Sequence, residues 1–576
     1  RIDNLQDRIH NVLLIKEKEY LWAYKGIFKL LLEIDERYTD KKYKLGSLDY
    51  DDLQILVLHL LEDESIREKL QNKFKYIMVD EFQDTNELQK KIFYRLCSNE
   101  NPLDRNNLFV VGDPKQSIYG FRGADLEVFY DVIEDIEESS RGKLITLNRN
   151  FRTVDSILDF VNSLFDKLMG SRYVGLIFNR KSPNQIDVEI LEKEGLTPSP
   201  NLEKKEYYAY YESRLIASRI KELVDKGEFK YGDFTLLFRA TTLDDIYEDG
   251  LMEYGIPYYN TGGKGFYRRQ EILDLINGLK TISNRFDTIS TIGFLRSPMV
   301  GVSDATIYWL LRGKESSLLE TMDKEIEQID PAEKEKLKKA SKLIHNFMIK
   351  KGFYGIGDLL SELIDTTYYL ESLMLYASGR QMVSNVYKFL EIAQDFDKHN
   401  TSSLEDFIDY IEAIKDSNES QAKIYSEKAN VVKLMTIHKS KGLQFPVVII
   451  PQMASGFNYN RPNILFDKEK GIGFKYDRIS PSYDKIKADL KYLEEEEHKR
   501  LLYVAMTRAK DRLIIGNQGD DIGFKRLVKG LLDYDKIKVV DRVDDIINSR
   551  QIVKGLPEKL SIEGEAQGEE FLLLKT

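Results

Sequence analysis

Six short, almost uninterrupted apolar runs set the narrowest limit on what this chain can fold into. They are Tyr76-Ile77-Met78-Val79, Leu108-Phe109-Val110-Val111, Leu144-Ile145-Thr146-Leu147, Phe234-Thr235-Leu236-Leu237-Phe238, Val447 to Ile450 and Leu513-Ile514-Ile515. Continuous runs, as opposed to strict alternation, predict parallel strands buried on both faces. The segments between them are long enough for crossover helices, so the expected class is α/β with right-handed crossovers. A second texture runs from about Asp304 to Lys428, where no strand is expected and apolar residues recur at helical spacing. Leu337, Ala340, Ile344 and Phe347 form one stripe, and Leu404, Phe407, Ile408 and Ile411 form another, with Ser403 and Asp406 as its N-terminal cap. Such stripes are read as core, and the block as a helical insertion within an α/β domain. Residues 1–45 are expected to be helical too, and the end of the chain lacks periodicity until Phe571-Leu572-Leu573-Leu574.

Length and composition exclude several classes. At 576 residues, about 150 residues per domain gives three to five domains, and 42% hydrophobic residues can fill several cores. The lone Cys97 excludes a disulfide scaffold and a cysteine-based zinc or iron–sulfur site, and it suits a reducing, cytoplasmic setting. No apolar run approaches the roughly 18 residues that a membrane span needs. A net charge of −11 argues against a histone-like polycation, but local clusters of Lys and Arg decide nucleic-acid binding, not the sum. The chain opens on Arg1 inside a helix-like stretch, which is the expectation for a fragment.

The first chemical signal is Lys75-Tyr-Ile-Met-Val-Asp-Glu-Phe-Gln-Asp84, a strand ending in two adjacent carboxylates, Asp80 and Glu81. At the carboxyl end of a parallel strand, side chains point into the crevice where α/β ligands sit. One carboxylate suffices to hold Mg²⁺ beside a triphosphate, and its neighbour can orient and deprotonate the attacking water. An acidic pair at a strand end is common, so this motif alone does not decide the matter. The next run leads into Gly112-Asp113-Pro114-Lys115-Gln116-Ser117-Ile118-Tyr119-Gly120-Phe121-Arg122-Gly123-Ala124-Asp125. Gln116 can report on a phosphate or water as both donor and acceptor. Tyr119, Phe121 and Arg122 combine flat rings with a cation, the composition that stacks unpaired bases while following a phosphodiester backbone. Further on, Thr436-Ile-His438-Lys-Ser-Lys441-Gly442 gathers hydroxyls, a histidine and lysines around a glycine, which suits a loop touching phosphates. The run Glu494 to Glu497 is read as a solvated helix face.

"VDEFQDT", "VGDPKQSIYGFRGAD", "LNRNFRT", "LMTIHKSKGLQFPVVII" and "RLLYVAMTRAKDRL" occur in that order. Together they resemble motifs II to VI of the UvrD/Rep-like superfamily 1 helicases. "FLRSPMVGVSD" at Phe294 to Asp304 and the form "RLLYVAMTRAK" make the likeness greatest to the helicase portion of AddA/RecB-type helicase–nuclease subunits, over about residues 48–516. The resemblance implies ATP and Mg²⁺ as cofactors, with Asp80 on the metal and Glu81 as the base for hydrolysis. It implies that Gln116 couples the γ-phosphate state to DNA, and that Arg152 and Arg508 reach the γ-phosphate. His438 and Lys441 would contact DNA beside Tyr119, Phe121 and Arg122. Gln444 stands where the family usually has Glu and would meet the ribose; within the acidic run only Glu497, three residues before Arg500, matches the family pattern.

The implied architecture is two RecA-like parallel-sheet domains. Residues 1–45 would end a helical 1B subdomain, and 46–153 would be the C-terminal part of domain 1A. Residues 154–303 and 429–530 would form domain 2A, around a helical 2B insertion at 304–428. Residues 531–576 would lead toward a nuclease domain. The segment Thr261-Gly-Gly-Lys-Gly-Phe266 is similar to a family segment of domain 2A and fails the spacing of a phosphate loop. No GxxxxGK[ST] occurs among the 576 residues. The implied function is a 3′→5′ DNA helicase motor of a helicase–nuclease in double-strand break repair and recombination. Single- and double-stranded DNA and an AddB-like protein would be its partners. A non-catalytic scaffold that keeps the helicase fold is the alternative.

Overall fold

The computed structural model describes residues 21–540 except 100–102, 139–141, 185, 194, 197, 199–202, 262–265, 314–315, 377–378, 400–402, 416–429 and 476–479. The expectations for residues 1–20, for the Gly262–Gly265 loop, for 416–428 and for Phe571–Leu574 therefore lie outside the described residues. The chain is mixed α/β and forms two compact units. The first comprises the described residues through Glu189 with 436–515 and 520–538; the second comprises 190–435 with 516–519 and 539–540. Among the described residues, no helix is long and apolar enough to cross a membrane.

In the first unit, β1 (Ile77–Val79) and β2 (Leu108–Val110) pair in parallel, with Met78 opposite Phe109. The helices Glu87–Cys97 and Leu126–Glu138 cover one face of this pair. Phe82, Val128, Phe129 and Val132 form the core there, with Val79, Phe93 and Val110 packed against it. Side chains alternate across a strand, so Met78 points away from that core and is 77% exposed. The expectation of burial on both faces is thus corrected for these two strands. It is corrected again for Leu144–Leu147, which form no strand. No neighbouring strand pairs with them among the described residues, and Leu147 is 88% exposed. The strand forms just downstream as β3 (Arg149–Val154), parallel to β4 (Ile177–Arg180).

The strands Phe445–Ile450 and Ala509–Gly516 meet the expectation. They pair in parallel with Val447 opposite Arg512 and Ile450 opposite Ile515, and Val447–Ile450 and Leu513–Gly516 are buried without interruption. A 26-residue helix, Pro481–Met506, leads into the second of them. Its start follows from sequence: the Ser480 side chain accepts the Tyr483 amide, and Pro481 occupies the first turn, where no helical donor is needed.

In the second unit, Phe234–Phe238 is buried at all five positions, and Tyr258–Asn260 pairs in parallel with Val432–Thr436. From Asp304 to Lys415 the described residues hold helices and no strand. Leu337, Ala340, Ile344 and Phe347 join Leu404, Phe407 and Ile411 in one core with Phe266, Leu275 and Phe389. Ser403 and Asp406 form the reciprocal cap expected of them.

Candidate functional site

The carboxylates Asp80 and Glu81 leave β1 in a turn that needs support from elsewhere. Glu81 holds φ 52° and ψ 39°, a left-handed conformation that costs a residue with a side chain about 1–2 kcal/mol. Asp80 Oδ1 accepts the Glu81 amide at 2.8 Å, and Gln83 Nε2 donates to Glu81 Oε2 at 2.6 Å. Gln83 is fully buried. Its Oε1 accepts the Asp113 amide at 3.0 Å, and its backbone carbonyl accepts the Ser117 hydroxyl at 3.1 Å. One amide side chain therefore fixes Glu81 and the loop after β2 together. Gly112 is required for that approach, since a Cβ there would lie 2.6 Å from Gln83 Oε1.

Gln116 lies in the short turn Pro114–Gln116, capped by Asp113. Its Nε2 donates to Asp113 Oδ2 at 3.0 Å, and its Oε1 accepts Arg508 Nη2 at 3.4 Å. Arg508 is only 4% exposed, just beyond the long helix, where Nε donates to the Val504 carbonyl at 3.1 Å and Nη1 to the Leu443 carbonyl at 3.2 Å. Burial lowers the Arg508 pKa most, and the like charge of Arg152 lowers it further; Glu81 and Asp113 act in the opposite sense. Arg152 itself is exposed on β3. The two arginines, Gln116 and Glu81 thus share one electrostatic neighbourhood.

The same long helix grips the loop after β2 at two further points. Arg500 Nε donates to the Ser117 carbonyl at 2.7 Å, and Glu497 Oε1 accepts the Gly120 amide at 3.2 Å. Burial pushes the Glu497 carboxyl up, against the pull of Arg500. The acidic run is therefore not a solvated face. Glu494 takes a bidentate contact from Arg461 at 2.7 and 2.6 Å, and Glu495 meets Arg526 at 2.8 Å. These partners are distant in sequence, which is why the run reads as plain surface charge.

Tyr119, Phe121 and His438 make a cluster of rings. His438 lies 6.0 Å from Tyr119 and 5.4 Å from Phe121, centroid to centroid, and the Tyr119 hydroxyl donates to the His438 carbonyl at 3.4 Å. The Arg122 guanidinium sits 5.1 Å from the Tyr119 ring and 5.6 Å from the Phe121 ring. Phe121 is 68% exposed, and burial lowers the His438 pKa. Gln444 is exposed at the entry to the strand Phe445–Ile450. Lys441 has a different environment from the open surface expected of a DNA contact. Its side chain is 8% accessible, ion-paired with Asp84 and 3.4 Å from Glu81 Oε2. Sequence reasoning misses Asp84 and Gln83; their only signal is the second half of the "DEFQDT" run.

Asp80 is exposed, and among the described residues the Glu81 amide engages one of its oxygens, Oδ1. Among the described residues, no group of three or more His, Cys, Asp or Glu side chains gathers as a metal cage. A single exposed carboxylate fits Mg²⁺, which keeps waters and substrate phosphates in most of its shell.

In this α/β chain an acidic strand end, an amide side chain and two arginines share one neighbourhood, next to a ring cluster of which Phe121 is exposed. The chain belongs to the UvrD-like helicase family: residues 145–518 match the UvrD-like helicase C-terminal domain, and residues 5–137 match the UvrD/REP helicase N-terminal domain. Its curated relatives are named as ATP-dependent helicase/nuclease subunits. The protein from Natranaerobius thermophilus is 30% identical, covering 87% of this chain and 44% of the relative. Those from Alkaliphilus metalliredigens and Clostridium perfringens strain SM101 are also 30% identical, covering 88% and 96% of this chain and 46% and 49% of theirs. The chain therefore spans about half, or slightly less, of the length of these relatives.

Proposed function

We propose that this chain carries the larger part of the motor of an ATP-dependent, 3′→5′ DNA helicase that acts with a nuclease in double-strand break repair. The observation that carries the reading is the Arg508–Gln116 contact, 3.4 Å long, in the field of Glu81 and Arg152. Phosphoryl transfer from ATP to water is mostly positioning and charge neutralisation. Glu81 would orient the attacking water and take its proton. Arg152 and Arg508 would neutralise charge developing on the γ-phosphate, and Gln116 would tie that charge to the loop bearing the rings. Asp80 would hold Mg²⁺, which when bound supplies charge neutralisation at the phosphates. Gln444 would hydrogen-bond the ribose.

Single-stranded DNA would stack on Tyr119 and Phe121, with Arg122 and His438 beside it. The polarity, double-stranded DNA as the unwound substrate, an AddB-like partner and the 2B role of residues 304–428 are part of this proposal, and the motif resemblance is what supports them. None of the 576 residues supplies a GxxxxGK[ST] loop, so hydrolysis by this polypeptide alone is expected to be negligible. Phosphate release from it, and from a longer form that includes such a loop, measured with and without single-stranded DNA, tests the reading. DNA-stimulated release from the longer form is the predicted result. Silence from the longer form would favour a DNA-binding scaffold.

A further inference from the structure

Lys441 makes contacts unlike those of a lysine waiting for a phosphate. Its ammonium pairs with Asp84, lies 3.4 Å from Glu81 Oε2 and donates to the Gln116 carbonyl at 3.0 Å. The same ammonium lies 5.1 Å from the centre of the Tyr119 ring. Lys441 directly follows the short turn His438–Ser440, whose first side chain packs on Tyr119 and Phe121. One cation thus touches both the acidic turn and the ring cluster. To reach a DNA phosphate it would have to leave two carboxylates, and an enclosed carboxylate stripped of its cation is costly. Asp84 already lies in surroundings that raise its pKa by burial, which Lys441 opposes.

We infer that Lys441 is a positioning residue for Glu81, linking the ring cluster to the hydrolytic carboxylate, and is not itself a contact to DNA phosphate. A base stacked on Phe121 and His438 presses on the turn that carries Lys441. The ammonium then shifts against Glu81, while Gln83 remains the fixed second contact on that carboxylate. Occupancy of the rings is converted in this way into the orientation of the group that activates water. This inference rests on the assignment of Glu81 as the base.

The test uses the longer form that includes a phosphate loop, with variants Lys441→Met, Lys441→Arg, Asp84→Asn and Glu81→Gln. For each, the affinity for an oligothymidylate across a salt series is measured, together with phosphate release with and without that strand. Lys441→Met is expected to leave affinity and salt slope essentially unchanged, while the DNA-stimulated to DNA-free ratio falls about tenfold, within the usual range of coupling between two sites. Lys441→Arg should recover most of the ratio, and Asp84→Asn should lower it as Lys441→Met does. A salt slope reduced by about one, the signature of a lost phosphate contact, overturns the inference, and so does an unchanged ratio. If Lys441→Met fails to fold, as judged by circular dichroism, Asp84→Asn and Lys441→Arg carry the comparison under the same criteria. An active Glu81→Gln overturns the assignment of the base. A silent Glu81→Gln beside a normal ratio in Lys441→Met overturns this inference alone.

Discussion

Arg508 donates to the side-chain carbonyl of Gln116 across 3.4 Å, although 392 positions separate the two residues in the chain. Gln116 is the acceptor that links this buried guanidinium to the loop bearing the rings. Gln116→Ala is therefore expected to slow DNA-stimulated phosphate release by the longer form by roughly a hundredfold, the range for loss of one positioned polar group at a transition state. The KM for ATP should move much less. Steady-state kinetics at saturating single strand check this.

Phe121 and Arg122 are predicted to fail in different ways. Base–aromatic stacking is worth about 1–3 kcal/mol per base, so Phe121→Ala should weaken single-strand binding by roughly five- to 150-fold with no change in salt slope. Arg122→Ala should reduce that slope by about one if its charge also meets a phosphate. Fluorescence anisotropy over a salt series separates the two.

Gln83 bears on stability and activity at once. Gln83→Leu would leave the Asp113 amide without its acceptor and release Glu81 Oε2. The expected loss is about 1–3 kcal/mol for the stranded buried donor, read by denaturant unfolding of this chain. The longer form should also lose hydrolysis, because Glu81 loses a contact that aims it.

A pH dependence is built into the second unit. Asp244 is buried beside Glu248, Asp245 and Arg269 and accepts from Asn260 at 2.9 Å. Burial raises its pKa from 3.8 to about 6, with Glu248 and Asp245 adding to the rise and Asn260 and Arg269 opposing it. The folded value lies above the unfolded one, so its contribution to stability is present below pH ~4 and is lost as pH rises through ~6. Asp244→Asn should therefore gain on the parent protein with pH, from near zero at pH ~4 to about 2–3 kcal/mol at pH ~8. Unfolding of both proteins at several pH values checks this; a difference that stays constant with pH contradicts it.

What could be read in the sequence follows from which contacts are local. The runs at Phe234–Phe238 and Val447–Ile450 became buried strands because both of their faces are covered. Leu144–Leu147 has the same texture and failed because a strand also needs an edge to pair with, which hydrophobicity does not encode. The cap at Ser403 and Asp406 was legible because its bonds span three residues. The Lys441–Asp84 pair spans 357 positions and the Glu497–Gly120 contact 377. Nothing in either local sequence announces its partner, so neither contact can be read from the motif that carries it.

The proposed function has two guanidinium groups from distant parts of the chain, Arg152 and Arg508, serve one triphosphate. That is tested most directly by DNA-stimulated phosphate release from the longer form carrying Arg152→Ala, Arg508→Ala or both. Arginines that neutralise a transferring phosphoryl group are worth about 10³–10⁵ in rate, and groups that act as a unit are far from additive. Each single variant is predicted to lose at least about a thousandfold, and the double variant to be little worse than either. Near-normal release from either single variant, with its fold and DNA affinity intact, would contradict the shared role.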